Sequence, residues 1–329
     1  MILRNKKRTL FNPERYQGWG NTRKYFEGWY FKIVNAAETK AFAFIPGIAM
    51  DDKGESHAFV QVLDGKNKKS EYFTLSASLF RPSAERFELH IGNNFFSGTA
   101  MELDLPGIQG RLNFHGCIPW PNPWYSPGIM GPYTFAPFME CNHGIVSMDH
   151  SIEGSLAIRG EQIDFTGGRG YTEKDWGHSF PSAYIWMQSN HFSEPGISFK
   201  ASVARIPWIT KAFTGFIAGL WLDGRLYTYA TYNGTVFRDL SFSDAIVNLE
   251  LQNKATIISI SAPYEEPTPL ASPLKGFMGG RIEESMSSVI NLTLTERKTG
   301  HVLFSGSGRN ASIEISGNTS TLIPHKIKA

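Results

Sequence analysis

Residues 171–190 read YTEKDWGHSFPSAYIWMQSN, and the second half of that stretch decides the fold. From Ala183 to Asn190 the chain alternates. Tyr184, Trp186, Gln188 and Asn190 share one face, and Ala183, Ile185, Met187 and Ser189 share the other, which is the period of an extended strand. An aromatic-plus-amide face serves poorly as a plain core. It suits the wall of a large pocket for an apolar molecule that carries a few polar groups. The first half of the stretch sets four acid/base side chains, Glu173, Lys174, Asp175 and His178, beside Trp176.

The same period runs outward in both directions, in short segments broken by Gly, Asn, Asp and Pro. Strands are expected at 28–34, 41–45, 57–63, 72–80 and 86–91, and a long bent strand or hairpin at 145–158, followed by 162–166. Further strands are expected at 183–190, 197–205, 216–223, 225–231, 255–262, 287–295, 301–305 and 311–316. Asp223-Gly224 supplies the positive φ of a tight hairpin turn. Only 206–216 offers room for a short helix. The fold class is therefore antiparallel all-β, as barrels or sandwiches. The Gly-rich turn Gly167-Gly168-Arg169-Gly170 marks the expected division, giving a basic extension over 1–20, a first β domain over 21–168 and a second over 169–329. Residues 116–138, GCIPWPNPWYSPGIMGPYTFAPF, hold six prolines and six aromatics. Proline excludes central strand pairing, so this is an ordered loop packed over something, either a structural cover or a lid on an apolar pocket.

Composition narrows the function classes. A chain of 329 residues with 41% hydrophobic and 19% charged residues buries a substantial core. A net charge of +2, with no basic stripe among the aromatics, argues against nucleic acid. The one basic cluster, MILRNKKRTLF at the N-terminus, reads as a solvated end or as a membrane-surface anchor. No apolar run reaches the roughly 18–20 residues that span a bilayer, and the N-terminal stretch lacks the apolar core of a secretory signal. Two cysteines, Cys117 and Cys141, build no disulfide framework. The expected location is cytoplasmic, with peripheral membrane contact as an option.

Three motifs carry possible chemistry. In Tyr25-Phe26-Glu27-Gly28-Trp29-Tyr30-Phe31-Lys32, a strand puts Glu27, Trp29 and Phe31 on one face. A carboxylate there is either satisfied by backbone N–H groups or an Arg, or it is a site residue. In Glu173-Lys174-Asp175-Trp176, an extended chain points both carboxylates one way and Lys174 the other. Paired acids in an apolar surround make a general acid usable near neutral pH, whereas a surface loop would leave them solvated. Asp149, Ser151 and Glu153 read as the polar face of an edge strand. His57 and Gln61, with Phe59 between them on the opposite side, are weaker candidates. Cys141-x-His143 is a weak metal pattern without a second pair. No nucleophile elbow, Walker loop or dinucleotide fingerprint is present, so no cofactor or metal is expected. Any activity would rest on side-chain acids and a shaped cavity.

Taken together, YFEGWYFK at 25–32, EKDWG with Phe180-Pro181 and Trp186-x-Gln188-x-Asn190, and LDGRLYTYATYNGTV at 222–236 resemble the tocopherol cyclase family, over about residues 20–318. The resemblance implies two lipocalin-like β domains and a cofactor-independent ring closure of a prenylated quinol to a chromanol. The acid would be Glu173 or Glu27. Plant members usually carry Asn at the position of Asp175, which points to Glu173. Trp29, Trp176 and Trp186 would line the path of the cation, with Tyr184 on the same wall. Gln188 and Asn190 would orient the head group. The alternatives are a non-catalytic carrier of isoprenoids or other hydrophobic small molecules, and an isoprenoid hydratase.

Overall fold

The computed structural model describes residues 9–137, 139–243, 246–265 and 267–323. Phe138 and residues 1–8, with their basic cluster, lie outside the described residues. The described chain forms two antiparallel β-sheets, each wrapped on its own apolar core.

The first sheet starts as a meander of Tyr25–Val34, Ala41–Met50, Ser56–Asp64 and Lys69–Ser76. Arg169–Gly177 adds to the free side of Tyr25–Val34, and Cys141–Ile158 adds beyond it. Ile108–His115 and four shorter strands back to Phe80–Pro82 continue the sheet, and Glu161–Asp164 joins it by pairing with Cys141–Ile158. Cys141–Ile158 is one bent strand, with register shifts near Val146 and Met148. The core face of this first sheet carries Trp29, Phe31, Phe44, Val60, Phe96 and Leu112. The second sheet contains Ala183–Ser189 between Ser198–Trp208 and Val302–Gly317, and its core takes Ala183, Ile185, Met187, Phe199, Leu220 and Ile313.

Two sequence expectations shift. Arg169–Gly177 pairs within the first sheet, so the compact units divide after Phe180, not after residue 168. Leu270–Arg281 then returns to the first unit, where the Gln61 side-chain amide accepts from the Ala271 N–H and donates to its carbonyl. Residues 206–216 are not helical. They are the turn of a hairpin in which Trp208 pairs with Lys211 and Ile209 takes a φ of 52°. β-Branched Ile and Thr and the bulky aromatics there favour the pleated surface over a helix. At the other hairpin, Asp223 and Gly224 take φ values of 52° and 74°.

Residues 9–18 are no frayed extension. Thr9 and Tyr16 are buried, and the segment is gripped by side chains of the first sheet. Trp29 Nε1 donates to the Glu14 carbonyl at 2.9 Å, and Lys174 Nζ donates to the carbonyls of Pro13 and Arg15. The loop from Gly116 packs on this segment. Asn122 Nδ2 donates to the Phe11 carbonyl, and Asn122 Oδ1 accepts from the Gly128 N–H at 3.0 Å.

His150 gives the first unit a measurable acid sensitivity. It is fully buried against the Phe114 ring, with centroids 4.6 Å apart and Nδ1 3.1 Å from Ser147 Oγ. Burial pushes its pKa down from 6.5 to about 3. Below pH 6.5 the unfolded chain takes up a proton that the native state refuses, so stability falls toward acid and is retained above that value. The slope approaches about 1.4 kcal/mol per pH unit, or about 2 kcal/mol lost by pH 5. Urea midpoints measured between pH 5 and 7 should lose this increment in His150→Gln.

Candidate functional site

Register settles which of the expected site residues meet. Across Tyr25–Val34 and Arg169–Gly177, Glu27 lies opposite Trp176, Trp29 opposite Lys174 and Tyr30 opposite Glu173. Since successive residues alternate faces, Glu27, Trp29, Lys174 and Trp176 share the core face. Tyr171, Glu173 and Asp175 share the other. Glu27 and Glu173 therefore belong to two separate arrangements.

On the core face, Glu27 is saturated. It accepts from the Gln17 N–H at 2.9 Å, the Gly18 N–H at 3.0 Å, the Tyr25 hydroxyl at 2.5 Å and Lys174 Nζ at 2.6 Å. Burial pushes the carboxyl up, and the Lys174 charge opposes that push. Four donors fill the four lone-pair positions of a carboxylate, which leaves no room for a proton on either oxygen. The Lys174 ammonium also sits 4.8 Å from the Trp29 ring centroid and 4.6 Å from that of Trp176. These two indole faces thus already hold a resident cation. The arrangement can hold a charge and fix residues 13–18; it is badly placed to deliver a proton.

On the opposite face, the buried Glu173 accepts from the Tyr171 hydroxyl. Burial, reinforced by the Glu173 charge, holds the Tyr171 phenol far above its usual range, so it stays protonated and donates. His143, from the neighbouring strand, stands between the two acids. Its Nδ1 donates to Asp175 Oδ1 at 2.5 Å, and its Nε2 lies 3.3 Å from Glu173 Oε2. Cys141, at the start of the same strand, has its thiol raised by burial and by the Asp175 charge. His143, Glu173 and Asp175 lie close enough to suggest metal ligands. The imidazole, however, turns one nitrogen to each carboxylate. That is the geometry of a hydrogen-bonded relay, not of donors converging on one point.

Aromatic surface adjoins these acids. Tyr30 lies directly across from Glu173, and the buried Lys32 lies across from Tyr171. Phe26 packs edge-on against Phe180 at 5.5 Å. Gly28 and Gly47 pair across neighbouring strands and let the Phe59 ring lie on the sheet, where it stacks on Tyr72 at 5.2 Å. Phe59 shares its face with His57 and Gln61, as alternate residues of a regular strand must; placing it on the opposite side was an error. A Cβ at Gly47 would overlap the Phe59 ring and the Glu27 carbonyl. Gly47→Ala should cost roughly 1–3 kcal/mol of overpacking strain, read as a lowered denaturation midpoint.

In the second unit, Tyr184, Trp186 and Gln188 point away from the core yet are buried, and Asn190 follows just past the strand end. The Tyr184 hydroxyl donates to Glu314 Oε2 at 2.9 Å, and Asn190 Oδ1 lies 3.0 Å from His191 Nδ1. The same sheet face carries Glu284, paired in register with Glu314, and Lys200, which donates to Ser202 Oγ at 2.7 Å. Sequence reading missed Lys200, Glu284 and Glu314. The alternation of Phe199 and Ala201 with Lys200 and Ser202 was the signal available for the lysine.

Comparison with known proteins agrees with this architecture. The chain is 24% identical to the chloroplastic tocopherol cyclase of Zea mays, over 94% of this chain and 78% of that one. It shows the same identity to a probable chloroplastic tocopherol cyclase of Oryza sativa subsp. japonica, at 94% and 79% coverage. Among solved structures, CghA with Sch210972 superposes with a TM-score of 0.58 at 10% identity, covering 89% of each chain. A putative AttH from Nitrosomonas europaea superposes with a TM-score of 0.50 at 14% identity, covering 89% of this chain and 92% of that one. These likenesses make the fold lipocalin-like. Residues 116–317, which include His143, Glu173 and the second-unit face but not Glu27, match the tocopherol cyclase-like family, and the chain belongs to that family.

Proposed function

We propose that the protein catalyses an acid-driven ring closure of a prenylated hydroquinone, with Glu173 as the proton donor. The observation that carries this reading is the Glu173 carboxyl. It is buried, steadied by the Tyr171 hydroxyl and set against Tyr30 on the face away from the core. A carboxylic acid in a dry site protonates an alkene far better than one in water. Glu173 gives its proton to the less substituted alkene carbon, and a tertiary cation forms. The phenol oxygen captures that cation, so one C–H and one C–O bond form while the alkene π bond and the phenolic O–H break. The developing cation gains roughly 0.5–2 kcal/mol from each aromatic face within reach; Tyr30 and Phe59 are the candidates on this face.

His143 completes the cycle. With Nδ1–H held by Asp175, Nε2 takes the phenolic proton and passes it to the Glu173 carboxylate, so no net proton is consumed. Glu27, Trp29 and Trp176 are assigned the separate task of holding Lys174 and residues 13–18. Tyr184, Trp186, Gln188 and Asn190 form a separate aromatic-plus-amide face within the second unit, of a kind that suits an apolar molecule with a few hydroxyls.

The direct test is incubation with a phytyl hydroquinone. The expected product has the substrate's mass and a changed retention time, and its absence across a series of prenylated quinols would sink the cyclase reading. A product one water heavier would instead identify a hydratase. Among variants, His143→Gln should lower turnover more than Asp175→Asn, because an Asn oxygen still accepts from Nδ1–H. Equal losses in the two variants would remove His143 from the proton path.

A further inference from the structure

One row of residues crosses the first sheet on the face that carries Glu173. Register places His143 opposite Asp175, Asp175 opposite Gly28, Gly28 opposite Gly47 and Gly47 opposite Phe59. The row starts at the proton relay and crosses two strands without a side chain before it meets an aromatic ring. Its flanks are bulky. Tyr30 and Ile45 stand two positions along on one side, and Phe26, packed on Phe180, stands on the other. A shallow trough therefore leads away from Asp175, with roughly 4.8 Å for each strand it crosses.

The two glycines answer to different neighbours. Glycine inside a strand weakens it and marks a place where another group comes close to the backbone. At Gly47 that group is the protein's own Phe59 ring, which a Cβ would overlap. At Gly28 the described residues supply no such group. A Cβ there would stand 3.6 Å from Ile45 Cγ2, 3.6 Å from the Pro46 carbonyl oxygen and 3.8 Å from Phe59 Cζ, all ordinary contacts. Gly28 is not among the positive-φ glycines either. Neither packing nor backbone conformation asks for glycine at this position. Exposure points the same way. Gly28, Ile45, His143 and Asp175 keep partial exposure, while Tyr30, Gly47, Phe59 and Glu173 around them are buried. The open part of this face runs from the relay onto Gly28.

We infer that Gly28 sets substrate specificity: the isoprenoid chain beside the reacting alkene lies on its bare backbone, and the Phe59 ring stops the far end of the trough. The substrate class rests on the ring-closure reading above. The probes are one hydroquinone carrying a geranyl, farnesyl or phytyl tail, and the same hydroquinone without a tail. Gly28→Ala should keep a native or higher denaturation midpoint, because its Cβ meets no clash and alanine loses less backbone freedom on folding. Its kcat/KM for the tailed quinols should fall by roughly tenfold or more, the scale of one misplaced methylene in an apolar site. The loss should sit mainly in KM, and Gly28→Val should deepen it. Phe59→Leu, which shortens the stop, should raise kcat/KM for the phytyl quinol relative to the geranyl one. Equilibrium binding of the same quinols separates this inference from the ring-closure reading. If the native protein cyclises, Glu173→Gln does not and Gly28→Ala keeps a native KM, the inference falls and ring closure stands. If tailed quinols bind, bind more weakly to Gly28→Ala and are never cyclised, ring closure falls and the inference stands. Equal binding of tailed and tail-less quinols by the native protein overturns the inference. So does a lowered midpoint in Gly28→Ala, which would show that packing demands the glycine.

Discussion

Glu173→Gln should lower ring closure by about 10²–10⁴-fold, the usual contribution of a positioned general acid. The substitution keeps the side chain's shape and its acceptor for the Tyr171 hydroxyl, so the folded state should survive with a midpoint close to native. Gln cannot release a proton to an alkene, and the loss should fall on turnover more than on substrate affinity. Two controls sharpen the result. Tyr171→Phe removes a donor to Glu173 without touching its proton, so activity should drop by less than in Glu173→Gln. Glu27→Gln should reduce activity only in proportion to the folded fraction. If Glu173→Gln and Glu27→Gln both leave cyclisation of a phytyl hydroquinone intact, the acid lies elsewhere. The half-buried Glu314, in register with Trp186, and the buried Glu284 opposite it would be the next pair to examine.

The second large effect concerns stability. Lys174→Met should destabilise the first unit by about 3–5 kcal/mol, the cost of leaving one buried charge without its partner. Lys174 is completely buried, 2.6 Å from Glu27, and it donates to two carbonyls of residues 13–15. Met fills much of the volume and keeps an apolar contact with Trp29 and Trp176, so the loss reports the stranded Glu27 carboxylate and the freed carbonyls. Glu27→Gln alone strands Lys174 in the same way. The double variant Lys174→Met/Glu27→Gln should recover part of the loss, since neither charge is then buried alone. Urea denaturation followed by tryptophan fluorescence measures all three, with an unchanged m-value indicating that the midpoint shift is a stability shift. A Lys174→Met midpoint within about 0.5 kcal/mol of native, the range of ordinary surface substitutions, would show that the pair contributes little.

Much of this was legible before any coordinates. Period two alone placed Tyr184, Trp186 and Gln188 opposite Ala183, Ile185 and Met187, and it separated Glu173 and Asp175 from Lys174. Such faces follow from backbone geometry within one strand. What crosses between strands did not show. Lys174 meets Glu27, 147 positions earlier in the chain, only because Arg169–Gly177 joins the free side of Tyr25–Val34. Treating Glu27 and Glu173 as alternatives for one role overlooked that this register puts them on opposite faces. His143 was visible only as half of a weak Cys-x-His pattern. Its partnership with Asp175 depends on the register of Cys141–Ile158, which shifts twice along its length. The short helix expected at 206–216 failed because a single turn of apparent amphipathicity is also what a hairpin with a two-residue turn produces.

The return of Leu270–Arg281 to the first unit also bears on how the protein is made. A ribosome that has delivered residues 1–180 has not yet delivered the Ala271 backbone that Gln61 clamps, nor Gly276, whose N–H donates to the His178 carbonyl at 2.5 Å and whose carbonyl accepts from Met50. The first half of the chain must wait, incomplete, while nearly a hundred further residues are translated, so its final closure comes late in synthesis. A fragment ending at Phe180 is therefore a poor candidate for independent production. The stretch at 116–317 that matches the family likewise begins inside one unit and ends inside the other, and it corresponds to no separable piece of the protein.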